Sequence, residues 1–409
     1  MKKRVISTMV AASVVGLAAG AAQAQSNVTL YGIVDTGIGW QNNSTSVGST
    51  SGGKSLVKMN QGIWAGSRFG LKGSEDLGGG NKAIFTLEQG FNSATGAEQF
   101  SGLGFSRQAW VGISNATYGT VTAGRQYTPY YTLLSPWSPT TWLTGAYGAH
   151  PGDIDSLDTS FRTNNQVVYT SPTISGFTFS GGYAFGGVAG SMAADSVWSV
   201  AAQYKNGPFG IGVGYQHINN ATTTTQLWNS SAISGPGSAT TYAGEQAVSA
   251  VNNGYRSATR QQRIGVTAGY QFTPNLDVSA SFTNVQYVPG ATSSFRNEVI
   301  FNTAGAVLHW KATPTLDLAA GYSYTASSKA NGISDAARYH QFNLSQYYAL
   351  SKRTGLYAVE AYQHAKGKTI GSNGTSIINA TASIGDGFNS NPSSSANQVA
   401  VGAGIIHRF

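Results

Sequence analysis

Hydrophobic and polar residues alternate along almost the whole of this chain. Between Thr315 and Tyr324, Leu316, Leu318, Ala320, Tyr322 and Tyr324 share one face, and Thr315, Asp317, Ala319, Gly321 and Ser323 share the other. Phe209, Ile211, Val213 and Tyr215 oppose Gly210, Gly212 and Gly214 in the same way. Leu276, Val278, Ala280 and Phe282 oppose Asp277, Ser279, Ser281 and Thr283, and Trp198, Val200, Ala202 and Tyr204 oppose Ser199, Ala201 and Gln203. A period of two marks an extended strand with one apolar face, because successive side chains leave the backbone on opposite sides. That face meets a second sheet in a soluble sandwich, or lipid in a closed barrel. Alternation alone leaves both open.

The connections separate the two. The pattern places strands near residues 28–40, 61–72, 82–92, 103–114, 118–127, 162–171, 176–186 and 196–206. Eight more fall near 208–218, 260–272, 275–287, 299–311, 314–326, 338–350, 353–364 and 396–409, giving sixteen, an even number as bacterial single-chain barrels have. Seven connections are short: 73–81, 115–117, 172–175, 207, 273–274, 312–313 and 351–352. They carry turn chemistry such as Asn206-Gly207-Pro208 and Asp76-Leu77-Gly78-Gly79-Gly80. The other eight, about 9 to 40 residues each, are rich in Ser, Thr, Gly and Asn, and short and long alternate throughout. One rim of tight turns and one of loops predicts an all-β fold, a 16-stranded antiparallel transmembrane β-barrel. Tyr204, Tyr215, Tyr270 and Trp310, near strand ends, read as interfacial belts. Val399, Val401, Ala403, Ile405, His407 and Phe409 alternate up to the last residue, so Phe409 is expected to end the strand that closes the barrel on the first one.

Composition narrows the class further. Charged residues make up 10%, there are 53 Gly, 8 Trp, 21 Tyr and 17 Phe, and Cys is absent. A chain so poor in charge and rich in aromatics is not a disordered polyelectrolyte, and it has no mature run of ~18 apolar residues that would span a membrane as a helix. Without Cys there is no disulfide scaffold, thiolate zinc site or Cys nucleophile. Lys2, Lys3 and Arg4, the apolar run from Val5 to Ala21 and the small-x-small site Ala22-Gln23-Ala24 read as an export leader over 1–24, with the barrel domain over 25–409. Its loss leaves 21 basic against 16 acidic residues, a formal charge of +5. Export, and the lack of a basic run in the mature chain, disfavour nucleic acid as a partner.

Enzymatic readings fare poorly. The six His (His150, His217, His309, His340, His364 and His407) form no H-E-x-x-H, and Gly78-Gly79-Gly80 lacks the Lys-Ser/Thr of a phosphate loop. No catalytic residue, metal site or cofactor is expected.

Several motifs carry a family resemblance. They are Asn27-Val-Thr-Leu-Tyr-Gly-Ile-Val-Asp35, Gly66-Ser-Arg-Phe-Gly-Leu-Lys-Gly-Ser-Glu-Asp-Leu-Gly-Gly-Gly80 and Ala83-Ile-Phe-Thr-Leu-Glu-Gln-Gly-Phe91. Arg107-Gln-Ala-Trp-Val-Gly112, Gly119-Thr-Val-Thr-Ala-Gly-Arg-Gln-Tyr127, Ser171-Pro-Thr-Ile-Ser-Gly-Phe177 and His407-Arg-Phe409 continue the series to the end. Together they resemble the trimeric general porins of the beta-proteobacterial type. The resemblance implies an outer-membrane homotrimer among lipid and lipopolysaccharide, reached through the periplasm and inserted by the barrel-assembly machinery. It also implies passive diffusion of small hydrophilic solutes, and a third long loop, about 128–161, that folds inward and narrows the pore.

The same resemblance places wall arginines opposite that loop. Arg68 matches by its setting in Gly-Ser-Arg-Phe-Gly, and alternation agrees, since Phe69 and Leu71 take the lipid face. Arg107 matches by position, although Ala109, Val111 and Ile113 share its parity. Arg162 lies seven residues before Tyr169, and Arg125 near the root of the loop is the fourth candidate. Lys72, Asp35 and Glu88 have inward parity, the two acids as counter-charges or simple lumen groups. The repeat Thr-Pro-x-Leu-Asp-x-x-Ala sets Asp277 and Asp317 at matching heights on the non-lipid face. Where many relatives carry acids early in the loop, Tyr127 to Tyr147 has none, and acids return at Asp153, Asp155 and Asp158, read as solvated loop groups rather than cation ligands. Arginines without early loop acids predict an anion-preferring channel. A solute-specific channel and a non-conducting barrel adhesin are the alternatives.

Overall fold

The computed structural model describes residues 27–100, 102–158, 161–220, 249–386 and 392–409. The leader 1–24 lies outside them. Strands β1 (Asn27–Ser44), β2 (Lys54–Gln61), β3 (Arg68–Gly78) and β4 (Asn81–Gly90) open the sheet. It continues through β5 (Gln108–Asn115), β6 (Gly119–Gln126), β7 (Thr163–Thr170), β8 (Phe177–Ala184), β9 (Val197–Asn206) and β10 (Phe209–Asn219). The far wall is β11 (Arg260–Thr273), β12 (Leu276–Val288), β13 (Val299–Thr313), β14 (Leu316–Ser327), β15 (Arg338–Ala349) and β16 (Thr354–Lys366). A small separate hairpin, β17 (Lys368–Ile370) with β18 (Ile377–Asn379), precedes the last strand, β19 (Asn397–Arg408).

Neighbouring strands are antiparallel, and β19 pairs with β1 to close the sheet. The lower half of β1 pairs with β3 (Asn27 opposite Ser74, Ile33 opposite Arg68) and its upper half with β2 (Thr36 opposite Gln61, Ser44 opposite Lys54). β2 and β3 are thus one wall strand interrupted over 62–67, and the closed barrel has sixteen. The terminal residue makes the seam: Phe409 N–H donates to Gly32 O at 3.1 Å, and Gly32 N–H to Phe409 O at 3.0 Å. Gly32 has to lack a side chain here, since a Cβ would lie 2.3 Å from the Phe409 ring.

Closure satisfies the backbone in lipid, where unpaired groups cost several kcal/mol each. The pleat then sorts the side chains. Leu30, Ile38, Val57, Phe69, Val111, Phe282, Trp310, Phe342 and Ile405 all point outward and exposed. Tyr270 and Trp310 stand exposed near strand ends, as interfacial residues do. The first tight turn is shorter than the sequence indicates: β3 runs on to Gly78, and Gly79 and Gly80, both at positive φ, form the turn. At the long-loop rim, Tyr255 and Phe295 pack edge-on, 5.3 Å between ring centres, with Tyr287 and Phe301 in the same cluster.

Candidate functional site

The chain between β6 and β7 leaves the wall and crosses the barrel interior. Thr128 caps its first helical turn, Pro129–Leu134, where Pro at the start suits the missing N–H. Tyr130 N–H donates to Ser199 Oγ (2.8 Å), and Thr267 Oγ donates to Leu134 O (2.8 Å). Trp137 then lies over the inner faces of β10 and β11, where a Cβ on Gly210 or Gly269 would stand 1.8 or 2.1 Å from its ring. Trp142 stacks on His309. Farther on, Gln341 and Asn343 amides donate to Tyr147 O (3.2 and 2.6 Å), and the Tyr147 hydroxyl accepts from Asn60 (3.1 Å). The loop returns through His150, 3.3 Å from Ser281, and Asp155, which accepts from Thr283 at 2.7 Å. Over the described residues 128–158 the loop therefore runs inward as expected.

Between this loop and the β2–β5 wall lies a cavity of ≈ 430 Å³ whose lining includes Arg68, Arg107, Arg162 and Arg408. Arg107 is ion-paired with Glu88 (2.7 Å), whose second oxygen accepts from Tyr31 (3.0 Å). Tyr127 joins two arginines: its hydroxyl accepts from Arg107 at 3.1 Å and from Arg162 at 2.9 Å. Burial alone would push the Tyr127 phenol up, but the two guanidiniums outweigh it and hold it below its ordinary value. Arg68 donates through Nε to Gly66 O (2.9 Å) and has no carboxylate within ion-pair distance among the described residues. The acids that line the cavity are Asp158 and Asp386.

Arg68, Arg107 and Arg162 thus line one cavity. Arg107 does so against its parity, because β5 begins only at Gln108 and the residue before it turns inward to Glu88. Arg125 is outside the cavity lining. It shares the parity of Val121, which is outward and exposed, rather than that of buried Thr122 and Gln126, and its guanidinium donates to Ser106 O (2.7 Å) and Asn164 (2.6 Å).

The acids require correction. Asp153 and Asp155 are not solvated loop groups but wholly buried against the wall, and Asp158 is only 8% exposed. Burial would raise the Asp155 carboxyl, yet His150, 2.5 Å away, and the hydrogen bond from Thr283 hold it below its ordinary value. Asp35 is also buried rather than bathed by the lumen: Trp64 and Ala65 N–H and the Tyr357 hydroxyl donate to it at 2.8, 2.7 and 2.5 Å. Glu88 is a counter-charge. Lys72 lies 5.3 Å from the centre of the Tyr31 ring, and Asp277 and Asp317 straddle His309 at 2.7 and 3.1 Å. Among the described residues no group of three or more His, Asp or Glu has the geometry to hold a metal.

Arg408, Trp64 and Asp386 are among the lining residues that the sequence does not single out. Arg408 was readable, since outward His407 and Phe409 force it inward. Trp64 and Asp386 were not, because they depend on a strand break and on a loop whose Asp386 N–H donates to Gly145 O at 3.1 Å.

A closed barrel with an apolar outside, and an inward loop over an arginine-lined gap, is the build of an outer-membrane β-barrel. The chain belongs to the Gram-negative porin family, which it matches over residues 11–368. It is 35% identical over 240 residues to an outer membrane porin protein of Bordetella pertussis, covering 54% of this chain and 61% of that one. It is 35% identical over 225 residues to outer membrane porin protein 32 of Delftia acidovorans, covering 52% and 59%. The chain thus spans about three fifths of the length of these curated relatives. In structure it is similar to the anion-selective porin from Comamonas acidovorans, with a TM-score of 0.65, 22% identity, and 94% and 100% of the two chains covered. Its place is the outer membrane.

Proposed function

We propose that the protein forms a water-filled channel for passive diffusion of small hydrophilic solutes and ions, with a preference for anions. The observation that carries this reading is the eyelet itself, lined by four arginines against Asp158 and Asp386, with Arg68 lacking a carboxylate partner among the described residues. A guanidinium in a partly dehydrated gap lowers the barrier for anions and raises it for cations. The similar protein from Comamonas acidovorans is described as anion-selective, which supports the same direction. Three barrels per assembly, contact with lipopolysaccharide and insertion by the barrel-assembly machinery belong to the same proposal, on the strength of the family resemblance.

The test is the zero-current potential of the purified protein in a planar bilayer under a potassium chloride gradient. A potential of the sign set by chloride is expected; one set by potassium overturns the anion preference. A barrel that inserts yet carries no current would favour the adhesin alternative.

A further inference from the structure

The wall strand that passes the eyelet is broken there, and the break is supported residue by residue. Over 62–67 the chain leaves the sheet, so that the ladder on β1 passes from Gln61 opposite Thr36 to Arg68 opposite Ile33. Leaving a ladder frees backbone groups that are costly when buried unpaired. Here Asp35 takes them up. One carboxylate oxygen accepts the N–H of Trp64 (2.8 Å) and of Ala65 (2.7 Å), and the other accepts the Tyr357 hydroxyl. The Asp35 carbonyl accepts the Gly62 N–H at 3.0 Å.

The break sets Trp64 in the wall of the eyelet. Its indole rests on Tyr347 and Tyr357, ring centres 4.8 and 5.7 Å away, and lines the cavity together with Arg68, Arg107 and Arg408. Gly66 keeps the neighbouring space clear, since a Cβ there would stand 3.2 Å from Arg107 Nη1. A pore for inorganic ions needs only a polar wall; a braced indole within a guanidinium cluster offers a face that such ions do not use.

We propose that the eyelet contains a binding subsite for small aromatic carboxylates, the ring lying against Trp64 and the carboxylate on Arg68. This rests on the anion-preferring reading and adds a solute class to it. Arg68 commits its Nε to Gly66 O and has no carboxylate within ion-pair distance among the described residues, which leaves its planar fork to match a carboxylate edge. Trp64 supplies a large rigid face, suited to stacking with another ring. The cavity, at ≈ 430 Å³, takes a single ring with its carboxylate and is near the small end of ligand sites. Such binding has to be weak, because a channel must also release what it holds.

The test uses the purified full-length protein in planar bilayers, with sodium benzoate, cyclohexanecarboxylate or acetate added to potassium chloride. Benzoate is expected to interrupt the chloride current at concentrations about three- to tenfold lower than cyclohexanecarboxylate, the ratio a stacked ring supplies, and acetate to interrupt it least. Trp64→Leu is expected to bring that ratio to one, and Trp64→Phe to retain part of it. Equal block by benzoate and cyclohexanecarboxylate in the wild-type channel overturns the subsite without need of any variant, as does a ratio that survives Trp64→Leu in a conducting channel. A wild-type reversal potential set by potassium instead overturns the underlying anion reading, so the two failures are distinguishable.

Discussion

His309 lies flat against Trp142, ring centres 3.4 Å apart and planes 6° from parallel. Its Nδ1 is 2.7 Å from Asp277 and its Nε2 3.1 Å from Asp317, on the strands to either side. The Trp142 carbonyl accepts from Ser345 at 2.5 Å, and Leu143 packs on Val307 and Ala319. One histidine of the wall, held from both sides, therefore fixes the middle of the inward loop. A ring pair of this kind contributes ~0.5–1.5 kcal/mol beyond its burial. His309→Ala is expected to loosen the Trp142 turn without opening the barrel, seen as excess noise on the open-channel current. His309→Phe keeps a ring to stack on and should restore quiet openings. An Ala variant as quiet as wild type would show that the stack does not hold the loop.

Glu88 neutralises an arginine that is 1% exposed. Removing one member of a buried pair strands the other charge and typically costs ~3–5 kcal/mol. Glu88→Gln should therefore lower the thermal unfolding temperature followed by circular dichroism. It should also deepen anion preference, because Arg107 sits in the eyelet lining without its counter-charge. Unchanged reversal potential with a lowered melting temperature would place Arg107 outside the permeation path.

Acid should act on the loop through Asp155. Its carboxyl is held below its ordinary value in the folded protein, so its stabilising share is complete above the unfolded value of about 3.9 and is lost as pH falls through the lower folded one. The loop is expected to stay seated from neutral pH down to about pH 4 and to loosen only below it. Channel noise recorded against pH checks this. Asp155→Asn should flatten that acid limb, and a variant with the wild-type limb would assign it to other carboxylates.

The barrel was legible because its signals are local. Alternation fixes the face of a residue such as Phe282, turn residues such as Pro274-Asn275 fix the reversals, and neither needs knowledge of distant contacts. Parity gives a side but not a depth. Asp35 and Glu88 both have inward parity and both turn inward, yet Asp35 ends as a clamp on the strand break and Glu88 as the partner of Arg107. Asp153 and Asp155 looked solvated because nothing in a loop sequence tells which wall it will rest on, and here it rests on Thr283 and Ser281. Arg125 carries the right motif, but it falls on the outward parity of Val121, where Ser106 O and Asn164 take up its guanidinium.

Glycines on the inner faces of β10 and β11 make room for the loop. Gly210→Val places side-chain atoms where the Trp137 ring now is, since even a Cβ would come within 1.8 Å of it. Overpacking of this kind costs ~1–3 kcal/mol, far less than closure of the whole barrel supplies, so the loop should yield and the barrel should persist. Conductance is expected to change while the heat-induced mobility shift of the folded barrel on gels is kept. Loss of the folded band would mean that the loop's seat is part of the barrel's own stability.

Arg68 and Arg125 separate the roles of wall arginines. A unit charge at ~5 Å in a medium of effective dielectric ~20 contributes roughly 3 kcal/mol before salt screening. Arg68→Glu changes the local charge by two units inside the lining that Arg107 and Asp158 share, and should carry the reversal potential towards the cation side. Arg125→Glu makes the same formal change, but its guanidinium is tied to Ser106 O and Asn164, outside that lining. Its effect on selectivity should be several-fold smaller at high salt, where only charges facing the permeating ion escape screening. Equal shifts from the two variants would mean that selectivity follows the summed charge of the lumen and not the eyelet.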